Sequence, residues 1–203
     1  MLESKHFKIC GWGLLILLLS ITIPPFTTFI FPIVSIILIL FGYKGVSDEL
    51  GESRIWKNTI LSAVFYVVSF VIIILFVWYF RTFLENVFNH LFYYFEEFSS
   101  EVGFKEFLGY LSARALIFVI PFYASLIVSS FFFYRANELI GKIVGNDNFR
   151  VGGLLVLIST ILSPLIVGLL IYPVGLIILI VAFFGKYENI QRKREDNDVV
   201  IKL

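Results

Sequence analysis

Seven hydroxyl side chains recur at three- or four-residue spacing inside the most apolar parts of this chain: Ser62, Tyr66 and Ser69 in one stretch, Ser125 and Ser129 in a second, Ser159 and Ser163 in a third. That spacing puts each set on one face of a helix. In hydrocarbon such a row has two uses. It lets helices approach and hydrogen-bond, at roughly 0.6 kcal/mol per bond and sometimes about 1 to 2. Alternatively it lines an uncharged polar path for a neutral solute, assisted by kinks at Pro121, Pro164 and Pro173. Other chemistry is sparse. His6 and His90 are the only histidines and both lie outside the apolar stretches. His90 shares a helical face with Glu97, but two ligands fall short of the usual three or four of a metal site. No Asp, Glu, Lys or Arg interrupts those stretches, so an intramembrane protease or a proton relay has no group to work with. No dinucleotide fingerprint, phosphate loop or paired-cysteine motif appears. The expectation is a chain without catalytic residue, metal or cofactor.

The surrounding sequence says where such helices sit. Of 203 residues, 59% are hydrophobic, against roughly 45 to 50% in soluble domains, and only 15% are charged. Mean hydropathy is +0.94. A water-soluble globule is excluded, and a net charge of +1 leaves no basic excess for nucleic acid. One cysteine, Cys10, cannot form an internal disulfide.

Four stretches lack charge altogether: residues 9–43, 58–80, 115–134 and 151–185. All exceed the roughly 18 residues that a spanning helix needs. The first and last are too long for one span, because a 35-residue helix measures about 50 Å against a hydrocarbon core of about 30 Å. Pro24-Pro25 divides the first, and Pro164, Gly168 and Pro173 divide the second. The expected fold is therefore all-α: a polytopic transmembrane helical bundle of six spans, near 9–23, 26–43, 58–80, 115–134, 151–167 and 170–185, arranged hairpin, single, single, hairpin. Six spans put 13 of the 16 basic residues on one side of the membrane, and Arg81, Lys105 and Arg114 on the other. Four spans would divide the same residues 10 to 6. Both termini are then cytoplasmic. A cleaved signal peptide fits poorly, since Ser20-Ile21-Thr22-Ile23-Pro24 offers no small-x-small site. Residues 1–186 form the membrane domain, and the polar tail 187–203 is expected to be disordered.

Between the single spans, Phe83, Leu84, Val87, Phe88, Leu91, Phe92 and Phe95 recur at helical spacing, with Glu85, His90 and Glu96 around the other face. Phe104, Phe107, Leu108 and Leu111 repeat the pattern. This predicts two amphipathic outer helices, 82–98 and 104–113, folded onto the outer membrane surface or across the mouth of the bundle. The inner loops resemble each other: Tyr43-Lys44-Gly45 opens one and Tyr134-Arg135-Ala136 the other, while Trp56-Lys57 and Phe149-Arg150 close them. A genuine repeat would be parallel, with its axis along the membrane normal. In the second loop, Ala136, Leu139, Ile140, Ile143 and Val144 form a stripe ended by Gly145-Asn146-Asp147, a short interfacial helix with a glycine stop.

The runs Phe41-Gly42-Tyr43-Lys44-Gly45-Val46-Ser47-Asp48, Tyr134-Arg135-Ala136, Asn148-Phe149-Arg150-Val151-Gly152-Gly153-Leu154-Leu155 and Ala182-Phe183-Phe184-Gly185 carry a likeness. With them the chain resembles an archaeal group of small multi-pass membrane proteins, the domain of unknown function 996 family. The likeness extends from about Gly11 to Gly185, and the Phe-Arg-x-Gly-Gly-Leu-Leu run is its most specific part. It implies a membrane location and no particular activity, so no functional residue carries over.

Charge-free spans and short loops favour a non-enzymatic scaffold, assembly partner or membrane-organising factor in the cell membrane. Its partners would be lipids and other membrane proteins or a second copy, with no nucleic acid. The alternative is a channel or carrier for a neutral or weakly polar solute, lined by the hydroxyl rows.

Overall fold

A computed structural model describes residues 5–20, 30–98 and 101–185. The elements are α1 (Lys5–Ser20), α2 (Ile30–Leu50), α3 (Ser53–Phe98), α4 (Glu101–Val144), α5 (Asp147–Leu162), a 3-10 turn (Ser163–Leu165) and α6 (Val167–Phe184), with no strand among the described residues. Five stretches are long and apolar enough to cross a membrane: Phe31–Leu50, Ser53–Phe83, Ala115–Val144, Asp147–Leu165 and Val167–Phe184. The turn expected at Pro24-Pro25, the far end of the first span and the tail 187–203 lie outside the described residues.

Three element boundaries differ from expectation. The outer segments 82–98 and 104–113 are not separate helices, because α3 and α4 run unbroken through them for 46 and 44 residues. A charge marks the edge of hydrocarbon without ending a helix, and no Pro or Gly stands within four residues of Arg81 or Arg114. At the first junction Thr82 Oγ1 donates to the Trp78 carbonyl at 3.0 Å, and Arg81 pairs with Glu85 one turn on at 2.9 Å. At about 69 Å, α3 is more than twice as long as the hydrocarbon core is thick. The inner loops are likewise mostly helix. The stripe from Ala136 to Val144 is the last part of α4, stopped at Gly145 (φ 74°) as its sequence suggests.

The third difference is the last hairpin. Its turn occupies Ser163 to Ile166 alone, and Pro173 sits within α6. Ile166 takes φ 62° and ψ −36°, a backbone conformation that non-glycine residues rarely enter, and it reverses the chain here. Gly168 meets the Ser159 carbonyl so closely that a Cβ would collide with it.

The described residues form two compact units, one drawn from Met1–Ala63 and Ile127–Leu203, the other from Val64–Leu126. In the first, α1 packs on α2 and α6, and α5 packs on α6. Glycines make the approach close: Gly42 faces the Cys10 backbone, and a Cβ on Gly152 would lie 3.0 Å from the Gly175 carbonyl. Among the largest buried side chains are Phe7, Tyr43, Phe149 and Phe183, with Cys10, Leu14, Ile55 and Ile140 around them. In the second unit Phe118 meets Phe76 at 5.7 Å and Tyr79 at 5.4 Å between ring centroids. Val67, Ile74, Trp78, Ile117 and Ile120 are exposed there. Surface of that kind is at rest in hydrocarbon and costly in water.

Candidate functional site

Of the seven hydroxyls singled out by spacing, Ser62 and Ser129 are joined across two helices. Their Oγ atoms lie 3.3 Å apart, and Ser129 also donates to the Ser62 carbonyl at 2.8 Å. Both are buried. The four remaining serines turn back to their own helices, as Ser and Thr do when no polar neighbour is offered. Ser69 donates to the carbonyls of Phe65 and Tyr66, Ser125 to Pro121, Ser159 to Val156 and Ser163 to Thr160, at 2.6 to 3.0 Å. Tyr66 is 40% exposed.

Two polar contacts between helices escaped the spacing argument. Ser130 and Thr160 meet at 2.8 Å between hydroxyls, each one residue beyond a serine of the rows. The other contact is fully buried: the Tyr43 hydroxyl donates to Asn137 Oδ1 at 2.8 Å, and Asn137 Nδ2 donates to the Phe133 carbonyl at 2.8 Å. Tyr43 ends a charge-free stretch and reads as an interfacial aromatic, while Asn137 lies just past the stretch ending at Tyr134. An amide close to a span end was the available signal.

Around this bond the rings close up. Phe183 lies 5.5 Å from Tyr43 and 4.8 Å from Phe149, and Phe7 lies 6.1 Å from Phe149, mostly edge to face. Gly153 faces Asn137, where a Cβ would stand 3.1 Å from Asn137 Cβ. Tyr43, Ala136, Phe149, Gly153 and Phe183 all come from the four runs that carry the family likeness, so those runs meet in one buried cluster.

Charge surrounds the cluster in pairs. Lys44 bonds Asp48 at 2.7 Å and stands over the Trp56 ring. Glu52 takes Arg54 through both its oxygens at 2.8 Å, and this guanidinium holds its carboxyl at about 2. Glu138 is held between Lys142 at 2.8 Å and Arg135 at 3.1 Å. His6 Nε2 lies 3.7 Å from Glu49, while its ring rests on Gly45 with Nδ1 buried and unpartnered. The side chains of His90 and Glu97 lie outside those described. Among the described residues no three His, Cys, Asp or Glu stand together as metal ligands.

An uncharacterised protein of Methanocaldococcus jannaschii is 26% identical to this chain over 162 residues, covering 80% of this chain and 82% of that one. No solved structure matches. Residues 31–183, well over half of the chain, match the family described as protein of unknown function (DUF996), and the chain belongs to it.

Proposed function

We propose that this chain is a non-enzymatic multi-pass protein of the cell membrane that serves as a scaffold, assembly partner or membrane-organising factor. In this reading it crosses six times, keeps both termini in the cytoplasm, and meets lipids together with other membrane proteins or a second copy of itself. The observation that carries the reading is the state of the hydroxyl rows. Ser62 and Ser129 bond directly to each other, and Ser69, Ser125, Ser159 and Ser163 donate to carbonyls of their own helices. Hydroxyls used in this way, across a helix contact or within a helix, are already satisfied and offer little to a passing solute. The ion pairs at the helix ends also support it, because snorkelling cations held by acids anchor a span without forming a reactive centre.

The test is solute flux. Proteoliposomes carrying the purified chain should swell in glycerol or urea gradients at the rate of empty liposomes. Faster swelling that disappears in Ser62→Val with Ser129→Val would overturn the scaffold reading in favour of a conduit for neutral solutes.

A further inference from the structure

We infer that residues 33–63 and 127–157 are two copies of one helix–turn–helix unit, in register at a separation of 94 residues and meeting each other at Tyr43 and Asn137.

The turns carry the first argument. Each copy ends its first helix on a left-handed glycine, Gly51 at φ 67° and Gly145 at φ 74°. In both, the amide after the glycine reaches back five residues to a carbonyl, Glu52 to Ser47 at 3.1 Å and Asn146 to Gly141 at 3.1 Å, the wrap-around closure of a helix C-terminus. In both, that same residue opens the next helix. Glu52 Oε1 accepts from the amide of Arg54 at 3.2 Å, and Asn146 Oδ1 from that of Asn148 at 2.9 Å. The backbone carbonyls of Glu52 and Asn146 then accept from Ile55 and Phe149. These bonds match at a shift of 94; only the glycine amides differ, Gly51 donating three residues back to Asp48 and Gly145 four back to Gly141.

Burial carries the second argument and does not depend on the turns. Before them the copies bury Ser35 and Ser129, Tyr43 and Asn137, Val46 and Ile140; after them, Ile55 and Phe149, Thr59 and Gly153, Ser62 and Val156. Ile33-Val34-Ser35 and Ile127-Val128-Ser129 are identical in sequence at the same shift. Matching the loops by aromatic-basic-small triplets pairs Tyr43 with Tyr134 instead, three residues out of this register.

The Tyr43 to Asn137 bond carries the third. These residues are equivalents, 94 apart, and they bond to each other. When two copies are related by rotation, a residue that touches its own equivalent lies beside the axis, as in a dimer of separate chains. Here both partners are supplied by one chain.

Two exchanges in the full-length chain test the inference, read as melting temperature in detergent. The turn exchange combines Glu52→Asn, Ser53→Asp and Arg54→Asn with Asn146→Glu, Asp147→Ser and Asn148→Arg. It should melt within about 3 °C of the parent. The same grafts displaced by one residue toward the C-terminus, which move the cap off register with the glycine, should melt much lower. The core exchange combines Tyr43→Asn with Asn137→Tyr, and should melt above both single variants because the hydroxyl-to-amide bond re-forms with its ends reversed. An in-register turn exchange as damaging as the displaced one would overturn the inference. So would a core exchange that melts no higher than the single variants.

Discussion

Gly42→Ala asks directly how tightly α1 and α2 are packed. A Cβ on Gly42 would fall against Cys10 Sγ, 2.7 Å from the Cys10 backbone nitrogen and 3.0 Å from its Cα. Sulfur can swing away, but the backbone of α1 cannot move alone. Along the same interface Gly13 meets Ile39 and Gly45 meets the His6 ring, so the whole helix would have to shift. Overpacking of this kind costs about 1 to 3 kcal/mol. At about 1.4 kcal/mol per tenfold, the population with α1 lifted from α2 rises roughly 5- to 150-fold. The chain contains its own reporter, since Cys10 is its single cysteine and is wholly buried. A membrane-permeant maleimide reaches that thiol only through opening, and its rate tracks the open population while closing outpaces labelling. Labelling in Gly42→Ala should accelerate by the same 5- to 150-fold. Cys10→Ala added to Gly42→Ala should recover only part of the lost melting temperature, because the backbone collision remains. Labelling at the parent rate in Gly42→Ala would refute the packing argument, as would a parent Cys10 that reacts like a free thiol.

Three further outcomes are expected. Ser130→Ala and Thr160→Val should each lower stability by about 0.6 kcal/mol and no more than about 1.7, with a double variant less damaged than the sum, because the two hydroxyls serve each other; additive losses in a melting series would separate them. Glu52 has its folded-state pKa depressed, so the stability that it gains from Arg54 is present at neutral pH, holds down to the ordinary carboxylate range, and is lost as pH falls toward about 2. Glu52→Gln should thus melt below the parent at pH 7 by a small margin, since the pair is at the surface, and the gap should close by about pH 2. On the outer part of α3, Phe88→Ser with Phe92→Ser should lower the melting temperature in detergent, whereas Glu85→Gln with Glu96→Gln should change it little; equal effects would mean that the stripe from Phe83 to Phe95 is not a buried face.

Much of the fold is legible in the sequence, and the parts that are not fail for identifiable reasons. Gly145-Asn146-Asp147 announces a helix stop because glycine alone takes the left-handed conformation without strain. Pro164 marks the last turn correctly, but Pro173 misleads, since a proline within an apolar helix is tolerated when neighbours take up the freed carbonyl. Ile166 could not have been picked out, because nothing in its type favours φ 62°. Charge at Arg81 and Arg114 reports the edge of hydrocarbon, which is why the lengths of α3 and α4 were not visible in it. Ser62 and Ser129 emerge from spacing because each set shares a face of its own helix. Which faces meet is a matter of register between helices, so the Tyr43 to Asn137 and Ser130 to Thr160 bonds stayed hidden.

We propose that the chain threads the membrane six times with both ends inside. Single cysteines at Asn89 and Asn197, in a Cys10→Ala background, test it most directly with a thiol reagent that cannot cross the bilayer. The probe at position 89 should label in intact cells, and the probe at 197 only after permeabilisation. Labelling of both from outside, or of 197 alone, would rule this topology out.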